Sequence, residues 1–185
     1  MIQSTEIKPG QCFVWDGELY QAITVDRNKT AMAKMKVAIK VRSPKTGVVK
    51  ELGLLGSDRV EEANIDKREM QYLYDAGETM CFMDTETHEQ IEIPSDRLTW
   101  EKQFLTESMM VKVEFYNGEI LGIELPDKVN LKVAEAEAAV KGNTATAAQK
   151  NATLETGLVI KVPLFINTGD TVEVSTADGK YCGRA

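Results

Sequence analysis

The 185 residues, 43% apolar and 28% charged, suit a globular chain with room for one ordinary domain or two to three small barrels. No apolar run is long enough to span a membrane, and MIQSTEIKPG lacks a basic segment followed by an apolar one, so a soluble cytoplasmic protein is expected. The net charge of −7 argues, taken alone, against nucleic acid.

The charge is unevenly divided. Residues 1–63 carry 10 basic and 8 acidic side chains, residues 64–127 carry 5 and 15, and residues 128–185 carry 7 and 6. These three stretches are the predicted domains. In the first, Lys8-Pro9-Gly10 reads as a turn, Cys12 to Trp15 as a strand and Asp16-Gly17 as a tight hairpin turn. Leu19 to Val25 is the next strand, and Asp26 to Ala33 a loop. Met35, Val37, Ile39 and Val41 then alternate with Lys34, Lys36, Lys40 and Arg42, the period of a half-buried strand. One face of it enters a core and the other is a ladder of cations. The stretch 27–50 holds eight cations (Arg27, Lys29, Lys45 and Lys50 with those four) and no acid. Like charges at alternate positions repel unless something negative faces them. A phosphate backbone would serve; a solvated edge strand guarded by lysines is the competing reading. With a turn at Pro44 to Gly47, five short strands predict a small SH3-like (KOW-like) barrel.

In the second stretch Met70 to Tyr74, Thr79 to Met83, Gln90 to Ile93, Met109 to Tyr116 and Ile120 to Leu125 read as strands, the last two joined by the Asn117-Gly118 turn. Ser95 is expected to cap a short helix reaching Leu105, with Leu98, Phe104 and Leu105 on its apolar side. Five strands and one helix predict an OB-type barrel. The third stretch begins with a strand at Val129 to Val133. A long polar loop, Ala138 to Asn151, follows, then strands at Leu158 to Val162, Thr171 to Val174 and around Tyr181. A second OB-type barrel is expected there. Most methionines read as core filler, Met32 in the loop being the exception.

Catalytic patterns are lacking. Cys12, Cys81 and Cys182 are far apart and, with the single His88, form no zinc or redox spacing, so buried or half-buried thiols are expected and no metal or cofactor. His88 stands among acids and reads as a surface residue. There is no nucleophile elbow, phosphate-loop or H-E-x-x-H pattern, so no enzyme is expected.

From Lys150 the chain reads KNATLETGLVIKVPLFINTG. Lys150, Ala152, Gly157, Ile160, Val162, Pro163, Ile166 and Gly169 fill a pattern that resembles the signature of bacterial translation elongation factor P. Met70 to Tyr74, Phe82-Met83-Asp84, Gly122 to Pro126, Lys141-Gly142, Tyr181 and Arg184 are similar to the same family, so the resemblance spans the chain. It implies an SH3-like barrel and two OB barrels in an L shape like that of tRNA. It also implies a monomeric, non-enzymatic factor whose partners are the 70S ribosome, its rRNA and the peptidyl-site tRNA. Such a factor sits between the peptidyl and exit sites and stimulates peptide-bond formation at consecutive prolines. The loop tip that points to the tRNA acceptor end then falls at Ala31, Met32 and Ala33. The family's usual Pro-Gly-Lys-Gly is replaced by Thr30-Ala31-Met32-Ala33. A thioether takes no amine-type modification and brings no charge. Lys29, Lys34, Lys36, Lys40 and Arg42 would bind RNA backbone. Lys141, Gly142, Asn143, Thr144 and Arg184 would make ribosome or tRNA contacts from the C-terminal domain, Asn143 replacing the common acid. The competing function is a β-barrel adaptor that pairs with peptide strands and docks on no RNA.

Overall fold

The computed structural model describes residues 1–29, 34–139 and 148–185. Its sixteen described strands lie in three sheets. The first sheet contains β1 (Ile2–Gln3), β2 (Cys12–Trp15), β3 (Glu18–Asn28), β4 (Lys36–Arg42), β5 (Val49–Leu55) and β6 (Arg59–Glu62), in the order β1-β6-β2-β3-β4-β5. Asp16 and Gly17, both at positive φ, turn β2 into β3. The sheet wraps one face around Ile7, Phe13, Tyr20, Val37, Ile39, Val41, Leu54 and Val60. In β4 the inward positions are Val37, Ile39 and Val41, and Lys36, Lys40 and Arg42 are exposed, as the alternation predicts.

The second sheet holds β7 (Asp66–Asp75), β8 (Thr79–Asp84), β9 (Gln90–Pro94), β10 (Met110–Tyr116) and β11 (Glu119–Glu124), ordered β11-β10-β7-β8-β9. Phe82, fully buried, lies 5.4 Å from the Tyr72 ring. The third sheet holds β12 (Lys128–Ala136), β13 (Gln149–Leu154), β14 (Val159–Pro163), β15 (Thr171–Ser175) and β16 (Tyr181–Arg184), ordered β14-β13-β12-β15-β16. Its end strands β14 and β16 approach each other around a core that includes Leu131, Leu154, Val162, Ile166 and Val172.

The chain divides into two compact units, Met1–Lys67 with Glu114–Gly122 and Arg68–Val113 with Ile123–Ala185. In the first, Leu121 and Tyr116 from the β10–β11 hairpin cluster with Leu19 and Ala63.

Four expectations are corrected. The strand predicted to stop at Val25 continues to Asn28, because Asp26, Arg27 and Asn28 pair with Ala38, Val37 and Lys36. The short helix over 95–105 is instead two 3-10 turns, Ser95–Arg97 and Glu101–Gln103. The Ser95 hydroxyl caps nothing; it donates to Gly77 O. The segment is spent on the C-terminal barrel: Phe104 joins that core, the Trp100 indole donates to Thr176 O at 2.9 Å, and Gln103 O accepts from Thr156. A short uncapped helix has too little intrinsic stability to compete. The stretch read as loop through Asn151 contains the start of β13, whose inward residues are Lys150, Ala152 and Leu154. Finally, Cys182 is exposed, although Cys81 is buried and Cys12 half-buried.

Candidate nucleic-acid interface

The long β3–β4 hairpin carries the cationic ladder. A register shift between Ala22 and Thr24 leaves Ile23 unpaired and 40% exposed, and a bulge of this kind increases local twist. Beyond it the pairs run Lys40 with Thr24, Ala38 with Asp26 and Lys36 with Asn28. On the other side β4 pairs residue for residue with β5: Lys36 with Leu55, Ala38 with Gly53, Lys40 with Glu51 and Arg42 with Val49. The exposed face of β4 is therefore a row of cations interrupted by a low point, Ala38 beside Gly53, where a Cβ on the glycine would meet nothing within 4 Å.

The eight cations of residues 27–50 separate into two groups. Three serve the fold. The Arg27 guanidinium donates to Ile7 O at 2.7 Å and Thr5 O at 2.9 Å. Lys45 pairs with Glu119 at 2.6 Å. Lys50 pairs with Glu18 at 3.3 Å and lies 4.6 Å from the Tyr20 ring centre, a cation–π distance. The other five, Lys29, Lys34, Lys36, Lys40 and Arg42, are exposed and join no ion pair among the described residues. Glu51, cross-strand from Lys40, and Asp26, cross-strand from Ala38, are the acids facing this row from the neighbouring strands. Sequence reading passed over both, since they flank the acid-free stretch 27–50 and only the strand register brings them beside Ala38 and Lys40. A polyanion laid along this face would meet Lys36, Lys40 and Arg42, with Lys29 and Lys34 next to them at the loop end, and would break no ion pair of the described residues.

Ala31, Met32 and Ala33 lie outside the described residues, and so do Lys141, Gly142, Asn143 and Thr144. Arg184 stands on β16 opposite Val172, and its guanidinium pairs with Asp170 at 3.3 Å. Its side chain, 57% exposed, is thus engaged inside the C-terminal barrel.

A cleft of about 620 Å³ lies at the other end of the β4 strand, where Tyr20, Lys45, Val48, Lys50 and Tyr116 line it. The Tyr20 hydroxyl, and after it the Lys50 ammonium, hold the Glu18 carboxyl below the usual range. Its lysines are committed to carboxylates, so it offers a polyanion less than the β4 face does. Burial raises the Cys12 thiol, with Glu114 adding to the effect. Among the described residues no three His, Cys, Asp or Glu side chains are grouped to hold a metal. The exposed His88, at φ 60°, occupies a turn in which its N–H donates to Asp84 O.

Residues 65–123 match the family model "Elongation factor P (EF-P) OB domain", and residues 129–184 match "Elongation factor P, C-terminal". The chain is 49% identical over 180 residues to elongation factor P of Mesoplasma florum, covering 97% of each chain. It is 48% identical to that of Mycoplasma mycoides subsp. mycoides SC, over 97% of this chain and 98% of the relative. It is 45% identical to that of Mesomycoplasma hyopneumoniae over the full length of both. In fold it is similar to the solved structure of eukaryotic translation initiation factor 5A from Methanococcus jannaschii. The TM-score is 0.53 at 22% identity, over 67% of this chain and 93% of the other.

Proposed function

Since the chain belongs to the elongation factor P family, we propose that it is a translation elongation factor that binds the ribosome between the peptidyl and exit sites and relieves stalling at consecutive prolines. It acts as a cytoplasmic monomer, with residues 1–63, 64–127 and 128–185 as its three modules. The observation that carries this reading is the group of five exposed cations at the root of the hairpin loop that join no ion pair among the described residues. Lys29, Lys34, Lys36, Lys40 and Arg42 hold phosphates of peptidyl-site tRNA or rRNA and set the protein's register without reading sequence. Residues 31–33 then point to the acceptor end of the tRNA, and residues 141–144 face the exit site.

The contribution to rate is positional. Holding the peptidyl-tRNA end in a reactive geometry lowers the entropic part of the barrier, and the ribosome's own RNA performs the chemistry. No acid, base or nucleophile is required of this chain. With methionine at position 32, the tip works by shape and backbone contacts and carries no amine modification.

A polyproline reporter translated with the native chain and with Met32→Lys tests the reading. The native chain is expected to raise full-length yield, and the variant to match it, because grip and aim are unchanged. Failure of both would exclude stall relief.

A further inference from the structure

The two stems of the β3–β4 loop are tied to one another through the N-terminal 3-10 turn, Ser4–Glu6. On the β3 side, Arg27 spends its guanidinium on two backbone carbonyls, Thr5 O and Ile7 O, although a cation so close to the loop could have faced solvent. On the β4 side, the Gly56 N–H donates to Met35 O at 2.7 Å. A methyl group on Gly56 would lie 3.0 Å from the Met35 Cβ and 3.3 Å from Thr5 Cγ2, so only glycine fits without displacement. The same turn is fastened beneath. Buried Ser4 gives its hydroxyl to Leu55 O at 2.6 Å and its N–H to Asp58 O at 2.8 Å. Leu55 N–H in turn donates to the Asp58 carboxylate at 2.8 Å. Thr5 thus accepts from the β3 stem at its carbonyl, and its methyl group borders the space beside Gly56, which holds the β4 stem.

The strand pairing of β3, β4 and β5 ends at Asn28, Lys36 and Leu55, and stem residues beyond the ladder sway unless something outside the hairpin holds them. We propose that Arg27, Thr5 and Gly56 are positioning residues that aim the loop stems, and that they contribute to the rate of stimulation and not to ribosome affinity. This rests on the function proposed above. Planar guanidinium reaches two carbonyls at once; an ammonium satisfies them less well. Small errors in aim are costly where the effect is positional: a displacement of about 1 Å can lower a rate on the order of 100-fold.

The test compares the native full-length chain with Arg27→Ala, Arg27→Lys and Gly56→Ala. The readouts are polyproline peptide-bond formation over a range of factor concentrations, ribosome pelleting and thermal unfolding. Arg27→Ala and Gly56→Ala are expected to lower the plateau rate by about tenfold or more. The half-saturating concentration and pelleting should stay within about twofold of native, because the five RNA-facing cations are untouched. Arg27→Lys should recover part of the plateau. A native plateau in both Arg27→Ala and Gly56→Ala would overturn the inference and leave the proposed function standing. So would a plateau that falls only together with affinity and unfolding temperature. A native chain that neither pellets with ribosomes nor stimulates would instead overturn the functional reading, and the inference with it.

Discussion

Replacing Lys36 and Lys40 together by alanine should flatten the salt dependence of ribosome binding and leave the barrel folded. Both stand on the exposed face of β4 and join no ion pair among the described residues, so their removal strands no buried charge. Each phosphate neutralised by a lysine or arginine contributes roughly 0.7 to 0.9 to the slope of log K against log salt. Five such contacts correspond to a slope of about −3.5 to −4.5, or roughly 100- to 500-fold weaker binding between about 50 and 200 mM salt. Three remaining contacts give a slope of about −2.1 to −2.7, and a loss of only roughly 20- to 40-fold over the same range. Pelleting with ribosomes across a salt series reads this directly. Lys45→Ala is the internal control, since Lys45 is already paired with Glu119 at 2.6 Å and its loss should leave the slope alone. Equal slopes for the native and double-variant proteins would refute the assignment of the β4 face. An equal drop on losing Lys45 would refute the distinction between paired and bare cations. Binding that ignores salt altogether would favour a protein-binding adaptor.

Intact mass and peptide mapping are expected to show no adduct on residues 29–34; a mass shift on Lys29 or Lys34 would move the working tip away from Met32. Phe82→Ala should cost about 3–5 kcal/mol in denaturant unfolding, because the ring is fully buried beside Tyr72 and leaves a cavity. The Asp84 carboxylate accepts N–H groups from Thr87 at 3.1 Å and Glu86 at 2.8 Å, which hold it below the usual carboxylate range. A lowered native value stabilises the fold above the unfolded pKa, near 3.9, and that contribution disappears as pH falls through the native value. Asp84→Asn should therefore be less stable than native at pH about 7, and the difference should shrink below pH about 4; a constant difference in urea unfolding would contradict this. Lys150→Met keeps the inward stem on β13 and removes only the ammonium, so urea unfolding should show stability unchanged or raised by less than about 1.5 kcal/mol; a larger loss would mean that the ammonium itself is held.

How much of this could be read beforehand depended on what each side chain buries. Strands β2 and β4 were legible because their inward positions are large apolar residues, as in Val37, Ile39 and Val41. Strand β13 was not, because it turns Lys150 and Ala152 inward, and neither announces burial by residue type. Leu98, Phe104 and Leu105 have helical spacing, yet Phe104 serves the core of the C-terminal barrel and Ser95 bonds to Gly77. Local pattern yields there to tertiary packing. The cationic face was visible as a run of lysines. Which of its members are bare was not, since the partners of Arg27, Lys45 and Lys50 are Thr5, Ile7, Glu119 and Glu18, all distant in the chain. The cross-strand acids Asp26 and Glu51 needed the register.

The unbroken pairing of β4 with β5, and of β3 with β4 from Thr24 to Asn28, has a consequence for what the chain can tolerate. The bulge at Ile23 and seven consecutive β4–β5 pairs fix the register of the hairpin from below. Folding therefore does not have to be re-solved each time the residues above Asn28 and Lys36 change. The end of the hairpin is thereby a place where sequence can vary at little cost to the barrel, since the pairs that set the register stop at Asn28 and Lys36.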